Sequence, residues 1–144
     1  MALHDRQSLS KTPATRDAAE EAYDDAGIEP SDISLVEVHD CFTIAEVLAL
    51  EALGLYSHGE AIGAARRGET RRDGELPVNL SGGLKAKGHP VGATGAAQVA
   101  AIATLLDGTH PRADAVDDDA TVGVAQNAGG TVASATVHVL EVME

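Results

Sequence analysis

The stretch Leu35-Val36-Glu37-Val38-His39-Asp40-Cys41-Phe42 joins a strand pattern to two chemically reactive side chains and decides the fold. Its first residues predict a short strand within residues 33 to 38, and the apolar run from Ile44 to Leu53 predicts a helix directly after it. If the chain stays extended through Cys41, the side chains of His39 and Cys41 project to one face, because strand side chains alternate. A base and a thiol would then share one site.

A second stretch, Lys87-Gly88-His89-Pro90-Val91-Gly92-Ala93-Thr94-Gly95, places another histidine in a turn. Pro90 disfavours the helical conformation at His89, and Gly88 permits a sharp turn before it. We expect a helix from about Gly92 to Leu106, with the imidazole at its N-terminus. The partial positive charge of a helix N-terminus disfavours imidazolium, so His89 is expected to be neutral and able to accept a proton.

The remaining patterns predict helices and strands around these two stretches. Thr12-Pro13 predicts the start of a helix that ends at Gly27, and Thr43-Ile44-Ala45-Glu46 has the spacing of a capping box. We expect the other segments to be a long loop over 56 to 76, a short strand over 77 to 80, a loop over 108 to 120, and a final hairpin with strands over 121 to 125 and 131 to 142 and its turn at 126 to 130. These elements predict an α/β layered domain with a mixed sheet over residues 12 to 144, preceded by a loose N-terminal end over 1 to 11.

Composition restricts the partners. The net charge of -13 argues against nucleic acid or an anionic membrane, since phosphate binding needs clustered Lys and Arg. No apolar run approaches the ~20 residues that cross a bilayer, and we expect a cytoplasmic protein. A single cysteine cannot form an internal disulfide. The acidic excess, with three lysines in all, suggests a salt-adapted organism, whereas an acidic soluble protein from any source is the simpler interpretation.

Each candidate residue also has an ordinary structural explanation. Taken alone, His39 is typical of a hydrogen-bonded core histidine and Cys41 of a small buried thiol. The arginine cluster over 66 to 72 is typical of a solvated loop, with an anion site as the alternative. No spacing of histidine, cysteine and carboxylate residues is typical of a metal site, so no metal is expected.

Four motifs in order change this balance: His39-Asp40-Cys41-Phe42, Asn79-Leu80-Ser81-Gly82-Gly83, Gly88-His89-Pro90 through Gly95, and Asn127-Ala128-Gly129-Gly130. In this order they resemble the C-terminal half of a thiolase. More narrowly, the chain is similar to the sterol-carrier-protein type and to archaeal acetyl-CoA acetyltransferases. The resemblance spans roughly residues 12 to 142 and implies a thiolase-like C-terminal domain with layered α-β-α architecture and a mixed sheet.

The resemblance also implies a reaction. Thiolases join two acyl-CoA thioesters in a Claisen condensation, or cleave a 3-ketoacyl-CoA with free coenzyme A. By resemblance His89 activates a nucleophilic cysteine, and Cys41 moves the proton of the α-carbon. His39 would hold a water in one oxyanion hole, and the backbone N–H of Gly129 would contribute to a second. Coenzyme A thioesters are the expected substrates, with no bound cofactor.

The nucleophilic cysteine of the family lies in the N-terminal half, so the resemblance implies that half as a partner, in the same or a separate chain. Without it we expect no acyl transfer. A homodimer is also implied as an option, and short acyl groups on the way to isoprenoids are the expected substrates. Two alternatives stay open: an interaction module that assembles with hydroxymethylglutaryl-CoA synthase and a zinc-ribbon, OB-fold protein, and a lipid-transfer protein.

Overall fold

The computed structural model describes residues 8–143, which form a three-stranded mixed sheet flanked by helices. Strand β1 spans Leu35–Glu37, β2 spans Val122–Gly129 and β3 spans Ser134–Glu141. The strand order is β1-β2-β3, with β1 parallel to β2 and β2 antiparallel to β3. The parallel pair requires the long crossover that carries most of the helices, whereas the antiparallel pair is a hairpin.

Five α-helices surround the sheet. They are α1 (Pro13–Ala26), α2 (Thr43–Ala52), α3 (Ala61–Arg67), α4 (Gly83–Lys87) and α5 (Thr94–Leu106). Short 3₁₀ turns at Pro30–Asp32 and Ala113–Ala115 complete the connections. No helix within residues 8–143 has both the length and the apolar character needed to cross a bilayer.

The strands separate two apolar cores because their side chains alternate between the faces of the sheet. On one face Val36 and Val124 pack with residues of α1 and α2. On the other face Leu35 and Ala125 pack with Ile102 of α5. The sheet is therefore the middle of three layers, and the predicted α-β-α architecture with a mixed sheet is confirmed.

The ends of α1 lie where the sequence predicts them. Pro13 occupies the first turn, where a missing N–H costs nothing, and Gly27 adopts a left-handed φ of 71°. The N–H of Gly27 donates to the carbonyl of Tyr23 at 2.8 Å. A residue with a side chain would be strained at this φ, so the helix stops there.

The predicted capping box at the start of α2 is wrong. Phe42 precedes the helix, and no side chain of residues 8–143 caps its first turn. The carboxylate of Glu46 instead accepts a hydrogen bond from Nδ2 of Asn79 at 3.2 Å. Burial raises the pKa of Glu46, and this hydrogen bond acts in the opposite direction. Asn79, which is distant in the sequence, thus bonds the Glu46 carboxylate that the capping box would have used.

Other boundaries also differ from the predictions. The strand expected over 33 to 38 is limited to β1, and the one expected over 77 to 80 is a single bridge between Val36 and Val78. The loop expected over 56 to 76 contains α3, and α4 had no predicted counterpart. The helix expected from Gly92 begins at Thr94. The hairpin turn lies after Gly129, because residues 126 to 129 continue β2 in register with β3.

The loose end predicted over residues 1 to 11 falls mostly outside the described residues, which begin at Ser8. Residues 8 to 11 contain neither helix nor strand. The division of the chain at residue 12 stays a prediction.

The contact between α5 and β2 requires glycine at position 123. A Cβ atom there would lie 2.6 Å from Cγ2 of Ile102, which is fully buried. Gly123→Ala is therefore expected to lower the free energy of unfolding by about 1–3 kcal/mol through overpacking. Gly92→Ala is the matched control, since no heavy atom of the described residues beyond its chain neighbours lies within 4 Å of its added Cβ. Urea unfolding of both variants measures the difference, and equal stabilities would contradict the packing argument.

Candidate active site

The segment that carries His39 lies beyond the end of β1, where side chains replace the strand as hydrogen-bond partners. The N–H of Val38 donates to Oδ1 of Asn79 at 2.8 Å, and the N–H of His39 donates to Oε1 of Gln126 at 3.0 Å. The carboxylate of Asp40 accepts from the N–H of Leu84 at 2.7 Å. Asp40 therefore fixes the backbone at α4, and these partners together set the position of the His39 ring.

The imidazole of His39 is buried beside a second imidazole. Its Nδ1 lies 3.0 Å from Nδ2 of Asn127. The centroids of the His39 and His89 rings are 4.9 Å apart, and the ring planes meet at 83°. Two histidines that are 50 positions apart in the sequence therefore meet edge to face.

Burial lowers the pKa of His39, and the nearby His89 lowers it further. Asp40 acts in the opposite direction without reversing the shift. The neutral form of His39 is therefore favoured at neutral pH. A neutral ring can donate from one nitrogen and accept at the other.

The turn before α5 presents His89 as the sequence predicts. Gly88 adopts a φ of 90°, and Nδ1 of His89 lies 2.8 Å from Oγ1 of Thr94. The hydroxyl of Thr94 donates its one hydrogen to the carbonyl of Pro90 at 3.2 Å. It therefore accepts from Nδ1–H of His89, so the lone pair of a neutral His89 ring lies on Nε2.

One cavity of about 620 Å³ collects the predicted site residues. Its wall includes His39, Cys41, His89 and Gly129, although β1 ends before the first two. Cys41 is exposed in this chain, so the interpretation as an inert buried thiol is wrong. None of the described residues that line the cavity is charged, although the whole chain carries 23 acidic residues.

The hairpin turn between β2 and β3 forms one side of this cavity. Gly130, Thr131 and Val132 all adopt left-handed φ values, between 53° and 60°. This conformation is strained for a β-branched residue such as Val132. The strained turn brings the backbone from Asn127 to Val132 to the cavity wall.

The clustered arginines lie away from this cavity. Arg67 at the end of α3 pairs with Glu69 at 2.5 Å, and Arg72 pairs with Asp114. The side chains of both arginines are more than half exposed, as expected for solvated pairs. They add no charge to the candidate site.

Comparison with known proteins assigns the chain to a family. A model described as "Thiolase C-terminal domain-like" matches residues 1–142. The chain belongs to this thiolase family. The recognition made from four motifs is thereby confirmed, as is the thiolase-like fold.

Two curated relatives of this thiolase domain are acetyl-CoA acetyltransferases. The protein from Methanothermobacter thermautotrophicus is 48% identical over 139 residues, which cover 96% of this chain and 36% of the relative. The protein from Methanocaldococcus jannaschii is 41% identical over 143 residues, with 97% and 36% covered. The chain therefore spans about a third of the length of these relatives.

Further similarities agree with the family. Sterol carrier protein 2 of Gallus gallus is 44% identical over 98 residues, covering 68% of this chain and 18% of that protein. A solved structure, the Ltp2-ChsH2(DUF35) aldolase, superposes with a TM-score of 0.83 at 25% identity. It covers 96% of this chain and 34% of that chain.

Several polar residues of the thiolase domain's site were missed by sequence reasoning. Thr94 and Gln98 stand four positions apart on α5, and both are buried although the helix around them is rich in small apolar residues. Polar residues at this spacing share one face of a helix. The signal was therefore present in the sequence. Gln126 and Asn127 were missed as hydrogen-bond partners because they were assigned to a turn.

The lowered pKa of His39 predicts how stability depends on pH. The unfolded chain, whose histidine titrates near its ordinary value of 6.5, binds this proton before the folded chain does. The contribution of neutral His39 to the free energy of unfolding is present above that pH and is lost as the pH falls. Urea unfolding at about pH 7.5 and 5.5 should show a smaller loss for His39→Asn than for the native chain. Identical losses would mean that His39 titrates normally.

Proposed function

We propose that this domain supplies the proton-transfer and oxyanion groups for thiolase chemistry, in which two acyl-CoA thioesters are condensed or a 3-ketoacyl-CoA is cleaved by coenzyme A. The observation that carries the proposal is the edge-to-face contact of two imidazoles in a cavity that also exposes the single cysteine of the chain. An N-terminal half, in the same or a separate chain, supplies the nucleophilic cysteine. This division agrees with the third of each relative that the chain covers.

In this proposal His89 is the base that activates the nucleophile. Its Nδ1–H is held by Thr94, so Nε2 accepts the proton of the partner's thiol. The resulting thiolate attacks the thioester carbonyl, and the thiol of coenzyme A leaves with the proton that His89 returns. An acylated cysteine on the N-terminal half is the product of this step.

Cys41 acts on the second thioester. As the thiolate it takes the proton from the α-carbon, and the enolate that forms attacks the acylated cysteine. The carbon–carbon bond forms as the carbon–sulfur bond to the nucleophilic cysteine breaks. The thiolate released there takes up the proton that Cys41 has gained, which returns both groups to their starting forms. The exposure of Cys41 at the cavity supports this role, because a buried thiol could not reach a substrate.

His39 and Gly129 are the proposed donors to developing negative charge. Since Nδ1 of His39 faces Asn127, Nε2–H of the neutral ring is left to donate, either to the substrate or to a water. The turn after β2 brings the backbone of Gly129 to the same wall. Donors that are positioned in advance are worth ~3 kcal/mol each in such sites.

The cavity rim supports an N-terminal half as the partner. Of the large apolar residues exposed in the described chain, several line this cavity, with Val91 81% and Phe42 71% exposed. A contiguous apolar patch of this kind marks an interaction surface. Covering it would also exclude water from the enolate, as the chemistry requires.

Association with the N-terminal half should depend on this rim. Val91→Asp places a charge in the apolar contact and is expected to weaken binding by about tenfold or more. Ile62→Asp is the matched control, since Ile62 is an exposed apolar residue that does not line the cavity. Calorimetric titration with a separately produced N-terminal half measures both. Equal affinities for the two variants would place the interface elsewhere.

Turnover should require both halves together with the residues named above. With acetoacetyl-CoA and coenzyme A, the pair of halves is expected to release acetyl-CoA, whereas this chain alone is inactive. Cys41→Ser and His39→Ala should each reduce kcat by about 100-fold or more. Absorbance of the 3-ketoacyl thioester measures the reaction.

His138→Ala provides the control for these variants, because His138 is exposed on β3 and does not line the cavity. It should leave kcat unchanged. Turnover by this chain alone would contradict the assignment of Cys41 as a proton carrier. Full activity of Cys41→Ser in the paired halves would contradict it equally.

A second candidate function is an assembly module within an acyl-CoA-handling complex. It is favoured by the similarity to the Ltp2-ChsH2(DUF35) aldolase, whose name describes a complex of two proteins. Hydroxymethylglutaryl-CoA synthase and a zinc-ribbon, OB-fold protein are the partners proposed under this alternative. An assembly module would bind its partners, and Cys41→Ser would not change kcat. The turnover assay of Cys41→Ser therefore separates the two functions.

The acetyl group is the proposed acyl substrate, since two relatives are acetyl-CoA acetyltransferases. We place the reaction among those that build isoprenoid precursors in the cytoplasm. The acidic composition supports a salt-adapted source for the chain.

A further inference from the structure

We propose that Gln98 is a positioning residue that determines, through Asn127, which ring nitrogen of His39 carries the proton. We call the chain of hydrogen bonds from Gln98 through Asn127 to His39 the relay. The geometry that supports the relay is independent of the reaction. Its consequence for catalysis rests on the proposed function, in which His39 donates from Nε2.

The relay starts at a backbone carbonyl, which can only accept a hydrogen bond. Gln98 is 1% exposed, and its side-chain Nε2 donates to the backbone carbonyl of Gln126 at 3.0 Å. A carbonyl oxygen can only accept, so the amide nitrogen of Gln98 must face it. The amide oxygen of Gln98 must then face the opposite way, toward Asn127.

The next step fixes the side chain of Asn127. Its Nδ2 lies 2.7 Å from Oε1 of Gln98, which accepts one of the two amide hydrogens. The second hydrogen of the same nitrogen points to Nδ1 of His39 at 3.0 Å. A flipped Asn127 amide would place two oxygens against each other, so this orientation is enforced.

The last step fixes the ring. Because Asn127 donates, Nδ1 of His39 must accept and carries no hydrogen. The neutral ring then holds its hydrogen on Nε2. Placing a proton on Nδ1 would set one N–H against another inside a half-buried site.

The same helix gives His89 the opposite arrangement. Thr94 lies one turn before Gln98 on α5, and its hydroxyl accepts from Nδ1–H of His89. One helix face therefore leaves a donor nitrogen on His39 and an acceptor nitrogen on His89. A site that needs both a base and an oxyanion donor obtains them from two identical side chains.

Nitrogen-15 NMR of the histidine-labelled chain tests the relay without any turnover. Unprotonated (bare) and protonated ring nitrogens have well-separated chemical shifts. In the native chain at neutral pH, Nδ1 of His39 should be bare and Nε2 protonated. His110 serves as an internal reference, since its Nδ1 accepts the backbone N–H of Arg112 at 3.1 Å. A native His39 with its proton on Nδ1 would overturn the proposal.

Gln98→Met removes both amide groups at nearly constant volume. The ratio of Nε2–H to Nδ1–H forms of His39 should fall by about fivefold, the equivalent of one net hydrogen bond. Thr104→Val is the matched control on α5, because within the described part of the chain the Thr104 hydroxyl donates only to carbonyls of its own helix, at Ala100 and Ala101. An unchanged ratio in folded Gln98→Met would overturn the relay, since a residue that only supports the fold leaves the tautomer alone.

Asn127→Asp keeps the proposal testable if Gln98→Met does not fold. A carboxylate can only accept, so it should draw a proton onto Nδ1 of His39. The Nδ1 shift is then expected to move from the bare to the protonated range. A shift that stays in the bare range would show that residue 127 does not control the ring.

The outcome is distinguishable from that of the proposed function. A fixed Nε2–H form of His39 in a pair of halves without turnover would contradict the proposed reaction and support the relay. If the native pair of halves turns over while NMR shows a mixture of His39 tautomers in the native chain, the relay is contradicted and the proposed function is not.

Discussion

Two backbone N–H groups just beyond β1 place the strongest constraint on this structure. The ladder with β2 ends at Glu37, yet Val38 and His39 are still buried, and a buried N–H without a partner costs about as much as a lost hydrogen bond. Asn79 and Gln126 supply the missing acceptors from their side chains. The chain that follows can therefore leave the sheet without leaving the core. The position of His39, and with it the cavity, depends on these two amides.

Helix α5 connects this part of the sheet to the second histidine, because its side chains bond both β2 and His89. Glycine at position 123 of β2 lets Ile102 of α5 lie directly against the sheet, and a Cβ atom at Gly95 would be in ordinary contact with the side chain of Asn127. At that separation a glutamine on the helix reaches both the backbone of β2 and the amide of Asn127. A side chain at position 123 would widen the gap between α5 and β2. Gly123 thus matters because it lets the polar groups of the helix and the strand meet.

The sequence predicted those parts of the fold that local chemistry decides. Pro13 and Gly27 bound α1 by their own conformational preferences, and Gly88 with Pro90 shapes the turn at His89. It failed where a distant partner decides. Residues 126 to 129 contain glycine, asparagine and glutamine, which are typical of a turn, but pairing with β3 holds them in a strand. Glu46 likewise bonds Asn79 instead of capping its own helix.

Under the proposed function, the uncharged cavity wall bears on how an acidic chain could meet an anionic substrate. Coenzyme A carries several negative charges on its phosphates, whereas its thioester end is neutral until the enolate forms. None of the described residues that line the cavity is charged, so the wall offers no ion pair to a phosphate and suits the neutral thioester end. The developing negative charge then meets neutral donors, which cost less to bury than a cation would. Under the proposed function, the phosphates of coenzyme A therefore require cationic groups outside this cavity, and the proposed N-terminal half is the source that we assign to them.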